Sequence, residues 1–245
     1  MLDKKAGIIT QARMTSTRLP GKILKEVKGK SILEYQVDRL KWSGIPMYIA
    51  TTTNLTDDII ADFAKDHNVV FSRGSEDNVL SRYYQCAKEN ELDVVIRVTS
   101  DCPLIDGYQV KEGLEAYLKM NDENLYLSNS IERTYPRGFD YEIFSFGLLE
   151  DAYKNADRVP ELEHVTPYIR SNRSGKVNVY NISNTENYGS LRITLDTPED
   201  FELISRLIDD YHAEKIGYKE ITEILINHPE LVAINAHVEQ KKVDA

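Results

Sequence analysis

Cysteine is nearly absent: Cys86 and Cys102 are the only two in 245 residues, with no Cys-x-x-Cys and no histidine pair at ligand spacing. Neither a disulfide framework nor a zinc site is implied. Both thiols are expected to be packed, Cys102 beside a candidate metal ligand. Long apolar runs are missing as well. The N-terminal stretch MLDKKAGIITQARM holds one short apolar run before Gln11 and Arg13, so it reads neither as a secretory signal nor as a membrane span, and a cytoplasmic protein without a membrane partner is expected. Positive charge is in deficit, 30 Lys plus Arg against 40 Asp plus Glu for a net charge of −10, which disfavours adhesion to nucleic acid. There is no internal repeat, low-complexity tract or Ser/Gly/Pro-rich linker, so a single domain over 1–245 is expected, with its core at about 6–228 and a polar tail, Gln240 to Ala245, that frays. No Gly-x-Gly-x-x-Gly follows a strand and no Gly-x-Ser-x-Gly occurs, which removes motif support for dinucleotide binding and serine hydrolysis.

What is present is an alternation of buried strands and amphipathic helices. Apolar, β-rich runs at Ala6 to Ala12, Ile45 to Thr52, Val69 to Ser72 and Asp93 to Thr99 are separated by helical patterns at Ser31 to Trp42, Asp57 to Asp66 and Asn78 to Asn90, with Tyr108 to Met120 following. This order predicts an α/β fold with a mainly parallel sheet covered on both faces. The second half is less regular. Tyr126 to Ser128, Tyr141 to Phe144, Val177 to Ile182 and Leu191 to Leu195 read as strands, and Phe146 to Asn155, Glu163 to Ser171, Phe201 to Tyr211 and Tyr218 to Asn227 as helices, so the sheet is expected to become mixed.

The loop QARMTSTRLPGK, Gln11 to Lys22, leaves the first strand with Arg13, Arg18 and Lys22 among small residues, and Pro20 and Gly21 enforce a sharp turn. Arginine forks, a mobile lysine and free backbone N–H groups at the carboxyl end of a strand suit phosphate oxygens. Two later segments, VVIRVTSDCPLID and LRITLDTPED, each read as a buried strand that delivers a carboxylate, Asp101 and Asp196, to the same rim. Taken singly, each is better read as a helix cap. Taken with the cationic loop, two acids describe a nucleotide site with a divalent metal, since Mg²⁺ favours one or two carboxylates plus phosphates and water. SRGSEDNVLSRYY, with Arg73, Gly74 and Arg82, reads equally as a base or ribose pocket and as a capped helix start. ERTYPRGFDYEIF contributes Arg133, Arg137, Asp140 and Glu142, and LEHVTPYIRSN adds His164, Tyr168 and Arg170, a polar set suited to an acceptor pocket. No base role is read for His164, because an isolated histidine is more often structural. Gly29-Lys30-Ser31 imitates the end of a phosphate-binding Walker loop, but Leu24 stands where its first glycine is required.

These segments together resemble the sugar-acid cytidylyltransferases, in particular the spore-coat polysaccharide biosynthesis branch, akin to the CMP-Kdo and CMP-nonulosonate synthetases. IITQARMTSTRLPGKIL, RGSEDNVLSRYY, RVTSDCPLID, TYPRGFDYEIFS, EHVTPYIR and RITLDTPEDF match in order over most of residues 6 to 205. The resemblance implies a nucleotide-diphospho-sugar transferase (Rossmann-like) fold, usually a homodimer, which uses Mg²⁺ and CTP to activate a sugar acid for surface polysaccharide or glycan synthesis. By it, Arg13 and Lys22 are triphosphate contacts and Asp101 and Asp196 the metal acids. The expected catalytic set is then Arg13, Lys22 and Asp101, and the nucleotide set is Ala12, Arg13, Ser16, Lys22, Arg73, Gly74, Arg82 and Thr99. The acceptor set is Arg133, Arg137, Asp140, Glu142, His164, Tyr168 and Arg170, with the substrate carboxylate on Arg133, Arg137 or Arg170. One difference stands out: the Kdo-activating branch has Gln-Gly-Asp where this chain has Thr99-Ser100-Asp101, so neither base contacts nor the sugar carry over. Two rival readings remain open at this stage: the same fold with another nucleotide or a phosphorylated acceptor, and a glycosyltransferase or regulator that binds a finished nucleotide sugar.

Overall fold

A computed structural model describes residues 4–240. The chain runs β1 (Ala6–Gln11), β2 (Glu26–Val27), β3 (Lys30–Ser31), α1 (Ile32–Leu40), β4 (Met47–Thr52), α2 (Asp58–Asp66), β5 (Val70–Gly74), α3 (Val79–Glu89), β6 (Val94–Thr99) and α4 (Gly107–Met120). It continues through β7 (Leu125–Ser128), β8 (Glu142–Ser145), α5 (Phe146–Asn155), α6 (Val159–His164), α7 (Pro167–Arg170), β9 (Asn178–Asn181), α8 (Pro198–Tyr211), α9 (Tyr218–Asn227) and α10 (Pro229–Asn235). Seven strands form one sheet in the order β5-β4-β1-β6-β8-β7-β9, parallel throughout except for β8, which runs antiparallel to both neighbours. The expected change from parallel to mixed pairing therefore falls between β6 and β8.

Alternation along the strands sorts the core. Ile9, Val95, Tyr126 and Phe144 point to the face covered by α3 and α5, whereas Ile8, Ile96, Leu127 and Ile143 point to the face covered by α4. Both faces are buried, which is why these strands read as near-continuous apolar runs. A separate cluster joins α8, α9 and α10 to Ile32, Tyr35, Phe139, Ile193 and Leu195, so the C-terminal helices brace the rim through which the acids arrive. Leu231 of α10 is buried there, and the packed chain thus continues beyond the expected limit at residue 228. Of the polar tail, residues 241–245 lie outside the described residues, while the side-chain oxygen of Gln240 accepts from Arg192 Nη1 at 2.5 Å.

Topology places the site. From β1 the chain moves outward through β4 and β5, then returns to β6 on the other side of β1, and Gln11 and Thr99 lie opposite each other at the carboxyl ends of that pair. A reversal of strand order opens a crevice there, where α/β sheets bind ligands.

Two expected elements differ. Leu191 to Leu195 is not a strand; it makes one isolated bridge, Arg137 to Arg192. Its N–H groups are satisfied by turns instead: Ile193 donates to the Arg137 carbonyl at 2.8 Å and Leu195 to the Asp101 carbonyl at 2.7 Å. Such close threading needs Gly138, whose φ is +117° and whose missing Cβ would lie 2.8 Å from Ile193 Cγ1. The single helix expected over Glu163 to Ser171 is two short ones, α6 and α7, because Val165 turns to φ +70° and Pro167 cannot donate an N–H across the joint. The false Walker run is resolved as a hairpin turn between β2 and β3, with Ser31 capping α1 by accepting the Glu34 N–H at 3.1 Å.

Candidate active site

Local chemistry fixes the loop after β1. The Met14 N–H donates to Asp57 Oδ1 at 2.7 Å, the Gly21 N–H returns to the Met14 carbonyl at 3.1 Å, and Gly21 takes φ +64°. Leu19 is buried beneath the loop, so Arg18 and Lys22 are presented toward the crevice.

There the three segments meet. Lys22 Nζ donates to the Leu195 carbonyl at 2.6 Å and Asp196 Oδ1 at 2.9 Å, and lies 3.4 Å from Asp101 Oδ2. Arg18 Nη2 also reaches Asp196 Oδ1, at 2.8 Å. Asp101 sits two residues past the end of β6 in a turn, where the Thr99 hydroxyl donates to its Oδ1 at 2.6 Å. Behind Asp196, Arg192 donates to Asp196 Oδ2 at 2.9 Å and forks onto Asp200 through Nε and Nη2, both at 2.9 Å. Burial works to lower the Lys22 ammonium pKa, yet Asp101 and Asp196 outweigh it and hold it above its ordinary 10.5. Burial likewise pushes the Asp196 carboxyl up, and Lys22, Arg18 and Arg192 reverse this to hold it below 3.8. Cys102 is a packed thiol beside this centre, its Sγ 3.6 Å from Asp101 Oδ1, and burial followed by Asp101 raises its pKa well above the usual value.

The crevice is a cavity of about 490 Å³ lined by Gln11, Arg13, Ser16, Arg18, Lys22, Arg82, Arg97, Thr99, Asp101, Glu163, His164 and Asp196, among others. A second cavity, about 610 Å³, adjoins it through Arg97, Thr99 and His164 and is walled by Arg137, Asp140, Glu142, Arg158 and Arg170. Adjoining chambers suit a two-substrate reaction. Burial keeps the His164 pKa below 6.5.

Several expected contacts are placed elsewhere. Ala12 is buried and donates its N–H to the Ala50 carbonyl at 3.2 Å. Arg73 is a strut on the end of β4, donating to the Thr52 and Asn54 carbonyls at 2.7 and 2.9 Å and pairing with Asp58 at 2.7 Å. Gly74 makes room for Arg82, whose Cγ would lie 3.0 Å from an added Cβ. Tyr168 is buried, its hydroxyl 3.3 Å from Asp151. Arg133 is spent on Asp140, with two bonds at 2.5 and 2.8 Å. Glu142 lines the second cavity but accepts from Arg97, Tyr126 and Thr166, which fixes it in place. Arg13, by contrast, does line the crevice, half-exposed at its mouth and 3.6 Å from Glu76. Among the described residues no group of three or more His, Cys, Asp or Glu side chains is arranged to hold a metal; the rim acids are two.

Residue patterns missed Arg97, Arg158, Arg192 and Asp200. Arg192 lies four residues before Asp196 and Asp200 four after it, a spacing with meaning only once Thr197 and Pro198 start α8 and Asp200 accepts the N–H groups of Asp196 and Thr197 at 2.8 and 3.0 Å. Asp200 is also held below 3.8, burial being outweighed by Arg192 and Asn235. Depressed carboxylates stabilise the fold fully above their unfolded value near 3.8, and the contribution is lost as pH falls through their lower folded values. Chemical denaturation of the protein is therefore expected to show constant stability from these two acids near neutrality and a loss below pH 4 that shrinks in Asp200→Asn.

The sequence profile of the cytidylyltransferase family matches residues 7–242. An uncharacterized protein of Methanocaldococcus jannaschii is 34% identical over 242 residues, covering 97% of each chain. The spore coat polysaccharide biosynthesis protein SpsF of Bacillus subtilis is 32% identical over 208 residues, covering 81% of this chain and 84% of that protein. The solved structure of a cytidylyltransferase from Leptospira borgpetersenii superposes with a TM-score of 0.89 at 32% identity, covering 98% of this chain and 99% of that one. With a family match over nearly the whole length, and a crevice that gathers cations and two carboxylates at the switch between β1 and β6, this chain belongs to the cytidylyltransferase family.

Proposed function

We propose that this protein transfers CMP from CTP to a sugar acid of the ulosonic or nonulosonic type, releasing pyrophosphate, in the synthesis of a surface polysaccharide or glycan. The observation that carries the reading is the meeting of Lys22, Asp101 and Asp196 in the first of two adjoining cavities. The anomeric hydroxyl oxygen of the acceptor attacks the α-phosphorus of CTP; the new C–O–P bond forms as the bond from the α-phosphorus to the bridging oxygen breaks, and pyrophosphate departs. Lys22, Arg13 and Arg18, the three cations of the loop after β1, all line the crevice and offset charge on the leaving group. The donor set fits Mg²⁺, because two carboxylates with room for phosphate oxygens is a combination that ion accepts. Bound there by Asp101 and Asp196, Mg²⁺ would neutralise phosphate charge and favour ionisation of the attacking hydroxyl. No protein side chain is assigned as general base, and His164, its pKa lowered by burial, contacts substrate at the wall between the chambers.

Arg137 is the reader of the acceptor carboxylate. It lines the second cavity, has no carboxylate partner among the described residues, and is half-buried close to Arg133 and Arg192. Burial, then repulsion from Arg133, lowers its pKa, a strain that a bound carboxylate relieves. Charged hydrogen bonds of this kind contribute about 1.5–3 kcal/mol, so Arg137→Ala is expected to raise the acceptor KM roughly ten- to a hundredfold with little change in that for CTP. The function itself is tested by pyrophosphate release with each of the four NTPs against a panel of ulosonic and nonulosonic acids, with the conjugate identified by mass. CTP-dependent release with a CMP-sugar product is expected; release with another nucleotide only, or none with any acid, ends this reading.

A further inference from the structure

We propose that Lys22 is the resident counter-cation of the two rim acids, so that a divalent metal reaches Asp101 and Asp196 only together with a nucleotide whose phosphates draw the lysine away. The inference rests on the CTP-dependent reading above and concerns the order in which its site fills. Each of the four carboxylate oxygens already has a donor. Asp101 Oδ1 accepts from Thr99 and Oδ2 faces Lys22; Asp196 Oδ1 accepts from Lys22 and Arg18, and Oδ2 from Arg192. A metal ion that bridges both acids must compete with a cation, because both Asp196 oxygens are held by cations.

Charge balance argues the same way. Asp101, Asp196 and Asp200 meet Lys22, Arg18 and Arg192, three negative charges against three positive ones in a single network. A divalent ion added to that network leaves two uncompensated positive charges close to it, where screening is weak because Lys22 and Asp196 are only 13% and 8% exposed. A metal-bound triphosphate instead brings net negative charge, which the displaced ammonium can follow. Lys22 is built for that move. Its backbone is pinned by the Gly21 turn, with its N–H on the Leu19 carbonyl at 3.2 Å, while its head is a point charge on a flexible four-carbon stem. Arg18 and Arg192 remain on Asp196 when it leaves, so the acid stays oriented.

The test is Mn²⁺ retained with the full chain on ultrafiltration, measured without nucleotide. Weak retention is expected for the wild type, retention about tenfold tighter or more for Lys22→Met once the like charge is removed, and a return to weak retention in Lys22→Met/Asp101→Asn. Equal Mn²⁺ affinity in the wild type and Lys22→Met overturns the proposal. Should circular dichroism show Lys22→Met unfolded, the wild type decides: Mn²⁺ binding as tight without nucleotide as with a non-hydrolysable CTP analogue also overturns it. The transferase reading fails on a separate result, the absence of CTP-dependent pyrophosphate release by the wild type, so either can fall alone.

Discussion

Lys22→Ala and Asp101→Ala each lower turnover by about 10²–10³ at saturating CTP and Mg²⁺, the loss that follows removal of one preorganised electrostatic contact worth about 2.7–4 kcal/mol. The expectation comes from position. Among the described residues Lys22 is the one side chain that touches both rim acids and the Leu195 carbonyl, so its loss removes the proposed phosphate contact and leaves Asp101 without an ionic partner there. Asp101→Ala acts on the opposite partner and should give a similar loss, because on the proposed reading Asp101 would hold the Mg²⁺ that neutralises phosphate charge. Lys22→Arg is expected to be impaired as well, since a planar fork cannot occupy the niche of an ammonium head between two acids and a carbonyl. The measurement is single-turnover pyrophosphate release with folded variants. Near-normal rates in both alanine variants would place the chemistry elsewhere.

Arg192→Met destabilises the fold by about 3–5 kcal/mol, the usual cost of leaving a buried charge without its partner. Asp200 has no exposed side-chain surface, and Arg192 is the cation that forks onto it, while Asn235 adds a neutral bond at 2.8 Å. At roughly 2–4 °C per kcal/mol for a chain near this size, the melting temperature should fall about 6–20 °C. A second substitution separates charge from packing. In Arg192→Met/Asp200→Asn the remaining amide oxygen still accepts the N–H groups at the start of α8 and the unpaired charge is gone, so at least half of the loss should return. A double variant no more stable than Arg192→Met would mean that the arginine acts through its bulk alone.

The two results have different reach because Arg192 stands behind the site and Lys22 stands in it. Arg192 holds Asp196 through Oδ2, the oxygen opposite the one that Lys22 and Arg18 hold, and ties it to α8, and α10 reaches Asp200 through Asn235. Helices at the C-terminal end thus fix the orientation of a carboxylate that meets a loop near the N-terminus. At seven residues α10 is too short to give a periodic signal, and it contributes the buried Leu231, the flanking Val232 and Ile234, and the Asn235 amide.

Much of the architecture was legible in residue order. Strands β1, β4 and β6 follow from apolar runs buried on both faces, and helices α1 to α5 from stripes such as Val79, Leu80, Tyr83, Tyr84 and Ala87. The cationic loop and the two acids were legible too, because strand ends, prolines and glycines announce where a chain turns. Less legible was the stretch from 191 to 195. Its alternating Leu191, Ile193 and Leu195 read as a strand, whereas its hydrogen bonds go to turns around Asp101 and Arg137, partners no local pattern can name.

From the order of residues alone follow the layered α/β plan, the acidic and cysteine-poor character, and the family to which the chain belongs, since these depend on local periodicity, composition and motifs in series. Only folding decides which charges are free and which are spent. Arg73, Arg133 and Arg137 are equally cationic on paper; in the folded chain the first holds the end of β4, the second is consumed by Asp140, and the third lines a cavity with no salt-bridge partner of its own among the described residues. The reason is that pairing depends on which groups are brought within a few ångströms in a poorly screened interior, and separation along the chain, 174 residues between Lys22 and Asp196, carries no record of that distance.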